Sequence, residues 1–260
     1  VNFLWDSPVS KEGNTGGTHM KYFGEGLSDV HKALNKIIRK EDEIRQAKAL
    51  FLDLHRELHL SEVSEGEENE VDRLLGDLKA DEYAIMPTGK DETIAWVLWH
   101  IARIEDLTMG ILVGGGDQLF DDGWKQRMNA PITDTGNSLS DDEIMDLSRK
   151  INVTELLHYR NEVGIRTRNI IKYLSSADMR SRVPASGLDK ILSEGGVTKQ
   201  EDSVWLLDFW GKKDVAGILL MPPTRHVMLH LNDCCKWKEY IRTKKRYHRM
   251  SDGSNQELLL

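Results

Sequence analysis

The sequence predicts an all-α protein, a four-helix bundle with crossover connections. Apolar residues recur at spacings of three and four along four long stretches, the period of a helix with one buried face. No strand signal of any length is present, nor any repeat or low-complexity tract. The sections ahead of the second and last long helices are long enough to carry crossover connections.

The first long helix is expected from about Ser28 to Leu60, with Val30, Leu34, Ile37, Ile38, Ile44, Ala47, Leu50, Phe51, Leu54 and Leu58 on its apolar stripe. Ser28 with Asp29 marks its start. The acidic run Glu65-Gly-Glu-Glu-Asn-Glu interrupts the chain, and a shorter amphipathic piece follows at Val71, Leu74, Leu75 and Leu78. Met86-Pro-Thr-Gly is a loop. The second long helix starts at Thr88 or Asp91 and runs to about Val113, where Gly114-Gly-Gly stops it. It is apolar nearly all round at Ala95–Leu98, which means burial against several neighbours. Gln118 to Asn137, with Trp124 and Pro131, is expected to be a loop. Ser140-Asp-Asp-Glu is a capping box that opens a third long helix through Ile144, Leu147, Ile151, Leu156, Val163, Ile170 and Leu174. Pro184 to Lys213 is less regular, with short helices expected at Leu188–Ser193 and Gln200–Trp210. The last helix starts near Val215 or Pro222 and ends near Ile241; from Arg242 onward the chain is expected to fray.

The first twenty residues show no periodicity and stand outside this pattern. Met20 is the expected natural start, because Gly16-Gly-Thr-His-Met20 is compatible with a purine-rich ribosome-binding sequence read as protein. The expected organisation is an irregular segment over 1–27, one helical bundle over 28–243 and a flexible tail over 244–260.

With 260 residues, 39% hydrophobic and 30% charged, the chain can bury a substantial core under a well-solvated surface. A net charge of −8 argues against general nucleic-acid binding, which wants a basic face. No apolar run reaches the roughly 18 residues of a membrane span. The longest, around Ile94 to Ile104, is interrupted by His100 and Arg103. No secretory signal is read at the N-terminus. Cys234 and Cys235 are adjacent and would point about 100° apart on a helix, so they imply unpaired thiols, a reducing compartment and a cytoplasmic location. Both are expected to be packed as small hydrophobes.

Three histidines carry the strongest chemical signal. His226 and His230 are four residues apart, so on a helix they share a face and can point at one atom. His100 lies in the apolar run Ile94-Ala-Trp-Val-Leu-Trp-His-Ile-Ala-Arg-Ile-Glu-Asp, on a helix that can face the pair. Three imidazoles with an open position describe a catalytic-type site for zinc or a similar divalent ion. The competing reading makes His100 a core histidine bonded to a backbone carbonyl, or to Glu105 or Asp106. Asp233 and Trp237 recur near the His230 face, and Cys234 lies four residues from His230, where packing is its expected role. A second pair, His55-Arg-Glu-Leu-His59, has Glu57 about 200° from His55, so it is not a zinc-protease motif. It is expected at the end of the first helix, partly exposed. A di-iron centre needs two Glu-x-x-His pairs; only Glu155-Leu-Leu-His158 is present, which excludes it. No phosphate-cradling glycine loop and no nucleophile elbow occur.

The run around His100, followed far downstream by Arg225-His-Val-Met-Leu-His-Leu-Asn, resembles the DinB/YfiT-like superfamily of bacterial proteins, over roughly Leu27 to Ile241. The resemblance implies a four-helix bundle with crossover topology, commonly a homodimer. It also implies a divalent metal, often nickel or zinc, held by one histidine of the second helix and an HxxxH pair of the last. Those positions match His100, His226 and His230. The section from about Ala177 to Gly217, with Trp205 and Trp210, departs from the pattern and leaves the pocket shape open. Relatives include low-molecular-weight thiol S-transferases, which implies a metal-dependent transferase acting on a small thiol and an electrophile, the catalytic species being a metal-activated thiolate or water. A hydrolase using metal-bound water is the alternative. A non-catalytic metal-binding stress protein is another; it would close the site with a fourth protein ligand, Asp233 or Glu105. A third has the acidic surface serving a protein partner, with structural histidines.

Overall fold

The computed structural model describes residues 22–244, which are helical with no strand among them; one isolated bridge joins Arg182 and Asp214. The expected start at Met20 and nearly all of the tail lie outside the described residues. The helices are α1 (Leu27–Ile37), α2 (Ile44–Arg56), α3 (Glu70–Leu75), α4 (Ile94–Glu105), α5 (Asp122–Met128), α6 (Asp141–Lys150), α7 (Val153–Tyr173), α8 (Ser176–Arg180), α9 (Ala185–Ser193), α10 (Glu201–Gly211), α11 (Val215–Leu219) and α12 (Val227–Lys244). Two π-helical stretches, Asp106–Val113 after α4 and Met221–His226 before α12, extend the long helices. No described helix is long and apolar enough to cross a membrane.

Two of the expected long helices are broken. The first ends at Ile37 and resumes at Ile44, because Arg39-Lys-Glu-Asp-Glu43 offers no apolar side chain to bury. The third divides at Ile151, whose backbone is extended. Asn152 then caps α7 by accepting from Glu155 N–H, while its own N–H is bonded to the Met128 carbonyl at 2.8 Å. The second helix starts later than expected, at Ile94. Thr88 and Asp91 close a turn instead, and Thr93 is the cap, its hydroxyl accepting from Trp96 N–H at 3.0 Å. The expected loop from Gln118 to Asn137 contains α5. Gly114–Gly116 does end the second helix, with Gly115 at φ +67°. Arg242, expected to fray, is pinned to Asp77 at 2.7 Å and Glu82 at 2.8 Å.

The four bundle helices are α2, α4, α7 and α12. α7 packs on α2 and α4, and α4 also packs on α12, whose π-helical start returns to α2. The ring order is therefore α2–α7–α4–α12. Chain-order neighbours α2 and α4 face across a diagonal, as do α7 and α12, so both connections are crossovers. The core runs along this ring, with Phe51, Leu54, Trp99, Tyr159, Leu231 and Trp210 among its buried side chains.

Candidate metal centre

One face of α4 builds half of the site. Trp96, Trp99, His100 and Arg103 fall at helical spacing and donate to four successive loop carbonyls. Trp96 Nε1 bonds Gly136 O at 3.1 Å, Trp99 Nε1 bonds Asp134 O at 2.9 Å, and Arg103 Nε bonds Thr133 O at 3.1 Å. His100 Nδ1 lies 2.8 Å from Thr135 O. A carbonyl only accepts, so Nδ1 carries the proton and Nε2 presents its lone pair inward. Trp96 stacks flat on this imidazole at 4.6 Å. Gly136 permits the contact: its φ is +75°, and a Cβ there would stand 2.9 Å from Trp96 Nε1.

The π-helical turn before α12 supplies the other half. Pro222 and Pro223 have no N–H to donate, and the wider turn needs none from them. Thr224 Oγ1 ties the turn to Leu219 O at 2.7 Å. His226 leaves this turn and His230 the first turn of α12, with ring centroids 4.6 Å apart. His226 Nε2 lies 3.1 Å from His100 Nε2. The three ligand atoms all fall within 4.8 Å of one another, and each histidine is buried.

Burial keeps all three imidazoles neutral. It pushes His100 down to about 4 against the pull of the Thr135 carbonyl, and it holds His226 and His230 well below the usual histidine range. Three neutral imidazoles whose ring nitrogens converge, one oriented by a backbone carbonyl, fit a divalent ion such as zinc or nickel. Of the two readings for His100, the bond to a backbone carbonyl is present, and it turns Nε2 toward His226.

A pocket opens beside the three imidazoles. α10 contributes Trp205, Leu206, Phe209 and Trp210 to its wall, and Met221, Pro222, Ile104 and Asn137 complete it. α10 thus forms an aromatic cover over the three imidazoles.

The other candidates fall elsewhere. Asp233 is paired with Lys236 at 3.0 Å on the surface, and Glu105 turns to His55 and His59; neither is a fourth ligand in this geometry. Glu155 pairs with Arg127, and His158 is exposed. Trp237 is core. Cys234 is buried, which raises its thiol well above the usual value, and burial pushes Cys235 up to about 11. Both fit packing rather than nucleophilic roles.

The expectation that His55 and His59 are partly exposed is overturned. Both are fully buried and stacked at 4.2 Å. His55 Nε2 lies 3.0 Å from Glu105 Oε1, and His59 Nε2 lies 3.1 Å from Glu105 Oε2. Burial pushes His59 down to about 3 against the pull of Glu105. Burial also opposes the ionisation of Glu105, but its interactions with His59 and His55 outweigh it and keep the carboxyl well below the usual range. One signal was in the sequence: Phe51, Leu54, His55, Leu58 and His59 continue one apolar stripe, so the pair occupies core positions.

Bundle and site together define a class, all-helical proteins with a three-histidine metal-type centre between the second and last long helices. The sequence profile of the DinB superfamily matches residues 65–232, and the chain belongs to that superfamily. No curated protein matches the chain. The matched stretch contains His100, Glu105, His226 and His230; α2, His55 and His59 precede it.

Proposed function

We propose that the protein is a metal-dependent enzyme of the DinB type, a low-molecular-weight thiol S-transferase. The observation that carries this is the pocket. The three histidines leave their open side toward an apolar, aromatic wall rather than a fourth protein ligand. A closed, storage-type site would fill that position; a catalytic one keeps it open.

His100, His226 and His230 would hold a divalent ion, zinc or nickel. Bound there, it would supply Lewis acidity that lowers the pKa of a thiol, or of water, at its open position. The chain's own residues do the rest. Trp205, Phe209 and Trp210 exclude water and stack on the apolar body of an electrophile. Asn137 is the pocket's uncharged polar side chain, suited to orienting a polar group of the thiol. In the reaction the thiol sulfur bonds to the electrophilic carbon, the leaving group departs with the bonding pair, and the thiol proton goes to solvent.

The test is metal content together with conjugation of a small thiol to a chromogenic aryl halide. Wild type should carry metal at the centre and form the thioether. His226→Ala should lose that metal and the activity with helix content nearly unchanged. Trp205→Ala should keep the metal and raise KM for the aryl halide. Metal retained at full occupancy in His226→Ala would sink the site. Metal bound but no thioether, with hydrolysis of activated esters instead, would replace the transferase by a hydrolase.

A further inference from the structure

We propose that His55, His59 and Glu105 form a second divalent-metal site, of the zinc or ferrous type, that staples α2 to α4 and is distinct from the three-histidine centre. Two imidazoles and a carboxylate are a ligand set that both ions accept. The three ligand atoms lie within 4.8 Å of one another, and all three side chains are buried. Ligands of a tetrahedral ion, each at about 2.1 Å from it, stand about 3.4 Å apart. The imidazole–carboxylate separations of 3.0 and 3.1 Å need only a small outward shift to admit one.

A further feature favours a cation over a plain hydrogen-bonded triplet. Glu105 is a buried anion, and the buried cation whose charge acts on it, Arg160, is not bonded to it. Arg160 Nη2 is spent on the Leu58 carbonyl, while Nη1 has no hydrogen bond. The pocket around His59 is tailored: a Cβ at Gly164 of α7 would stand 2.7 Å from its Nδ1, so only glycine lets α7 approach. Glu105 lies inside the DinB-matching stretch and both histidines lie before it, so the site joins that stretch to the preceding helix. Because the cluster is sealed, the ion would enter as the chain folds.

The experiment unfolds the full chain in chelator, refolds it with excess zinc or cobalt, desalts it and counts metal by mass spectrometry. Wild type is expected to hold about two equivalents, and His226→Ala and Glu105→Gln about one each. In cobalt-loaded His226→Ala, visible d–d bands should report the second site, and adding Glu105→Gln or His59→Gln should abolish them. Circular dichroism checks that each variant refolds; if Glu105→Gln does not, His59→Gln gives the same count. One equivalent in wild type, lost in His226→Ala and kept in Glu105→Gln and His59→Gln, overturns the proposal and leaves the three-histidine centre standing. The reverse pattern keeps the second site and removes the first. No metal in wild type removes both.

Discussion

His100 donates its Nδ1–H to the Thr135 carbonyl and turns Nε2 toward His226, so a single hydrogen bond sets which nitrogen of this imidazole faces the other two. Its neutrality has a consequence for pH. Burial takes His100 from 6.5 to about 4 in the folded chain. A group whose folded pKa is depressed contributes stability above its unfolded value and loses it as pH falls toward the folded one. Metal-free protein should therefore weaken between about pH 6.5 and about pH 4, by on the order of 3 kcal/mol from His100 alone. Urea midpoints of chelated protein across that range check this; a flat profile contradicts it. His100, His226 and His230 were legible as candidate ligands because the HxxxH spacing and a polar residue in an apolar run are local signals. The fate of Glu105 was not legible, since nothing in its neighbours along the chain says that it meets His55 and His59 rather than His100.

At the scale of elements, α4 organises the site by holding its own loop. Arg103, fully buried, donates to Asp106 Oδ2 at 3.1 Å and to Tyr159 at 2.8 Å, and Asp106 accepts from Leu119 N–H and Phe120 N–H at 2.7 and 2.9 Å. Asp106→Ala would leave the guanidinium buried without its carboxylate and release the loop that follows the helix. The expected cost is about 3–5 kcal/mol of stability, since breaking a buried pair strands a charge. Chemical denaturation measures it; a loss below about 1 kcal/mol, typical of an exposed pair, would show that the network is not structural. The helix breaks at residues 38–43 and 151–152 were written in the sequence, as a charge run and an Asn-x-x-Glu cap. Uninterrupted apolar periodicity on either side masked them.

The whole molecule is a ring of four helices in which α4 meets its diagonal partner α2 and its neighbour α12 through histidines or their supports. α4 faces α2 through Glu105 and the His55–His59 pair, and it meets α12 through His100 and the His226–His230 pair. A metal held at the three-histidine centre would bind the folded chain alone, so its removal should destabilise the fold globally. At a free-metal concentration about 1,000-fold above Kd the linkage is worth about 4 kcal/mol. For a chain of this size that is a Tm lower by about 10 °C after chelation. Differential scanning calorimetry with and without chelator tests it, and an unchanged Tm would mean that no metal supports the fold.

The sequence by itself determined the helical class, the long amphipathic stretches, the stop at Gly114–Gly116 and the three ligand candidates. Each of these is a property of residues close in the chain, set by period, capping or an i,i+4 face. Only the tertiary structure decided the ring order, the cover that α10 lays over the imidazoles and the union of His55 and His59 with Glu105. Those depend on which faces meet across crossovers of dozens of residues. No local pattern encodes that choice; the packing of complementary surfaces makes it.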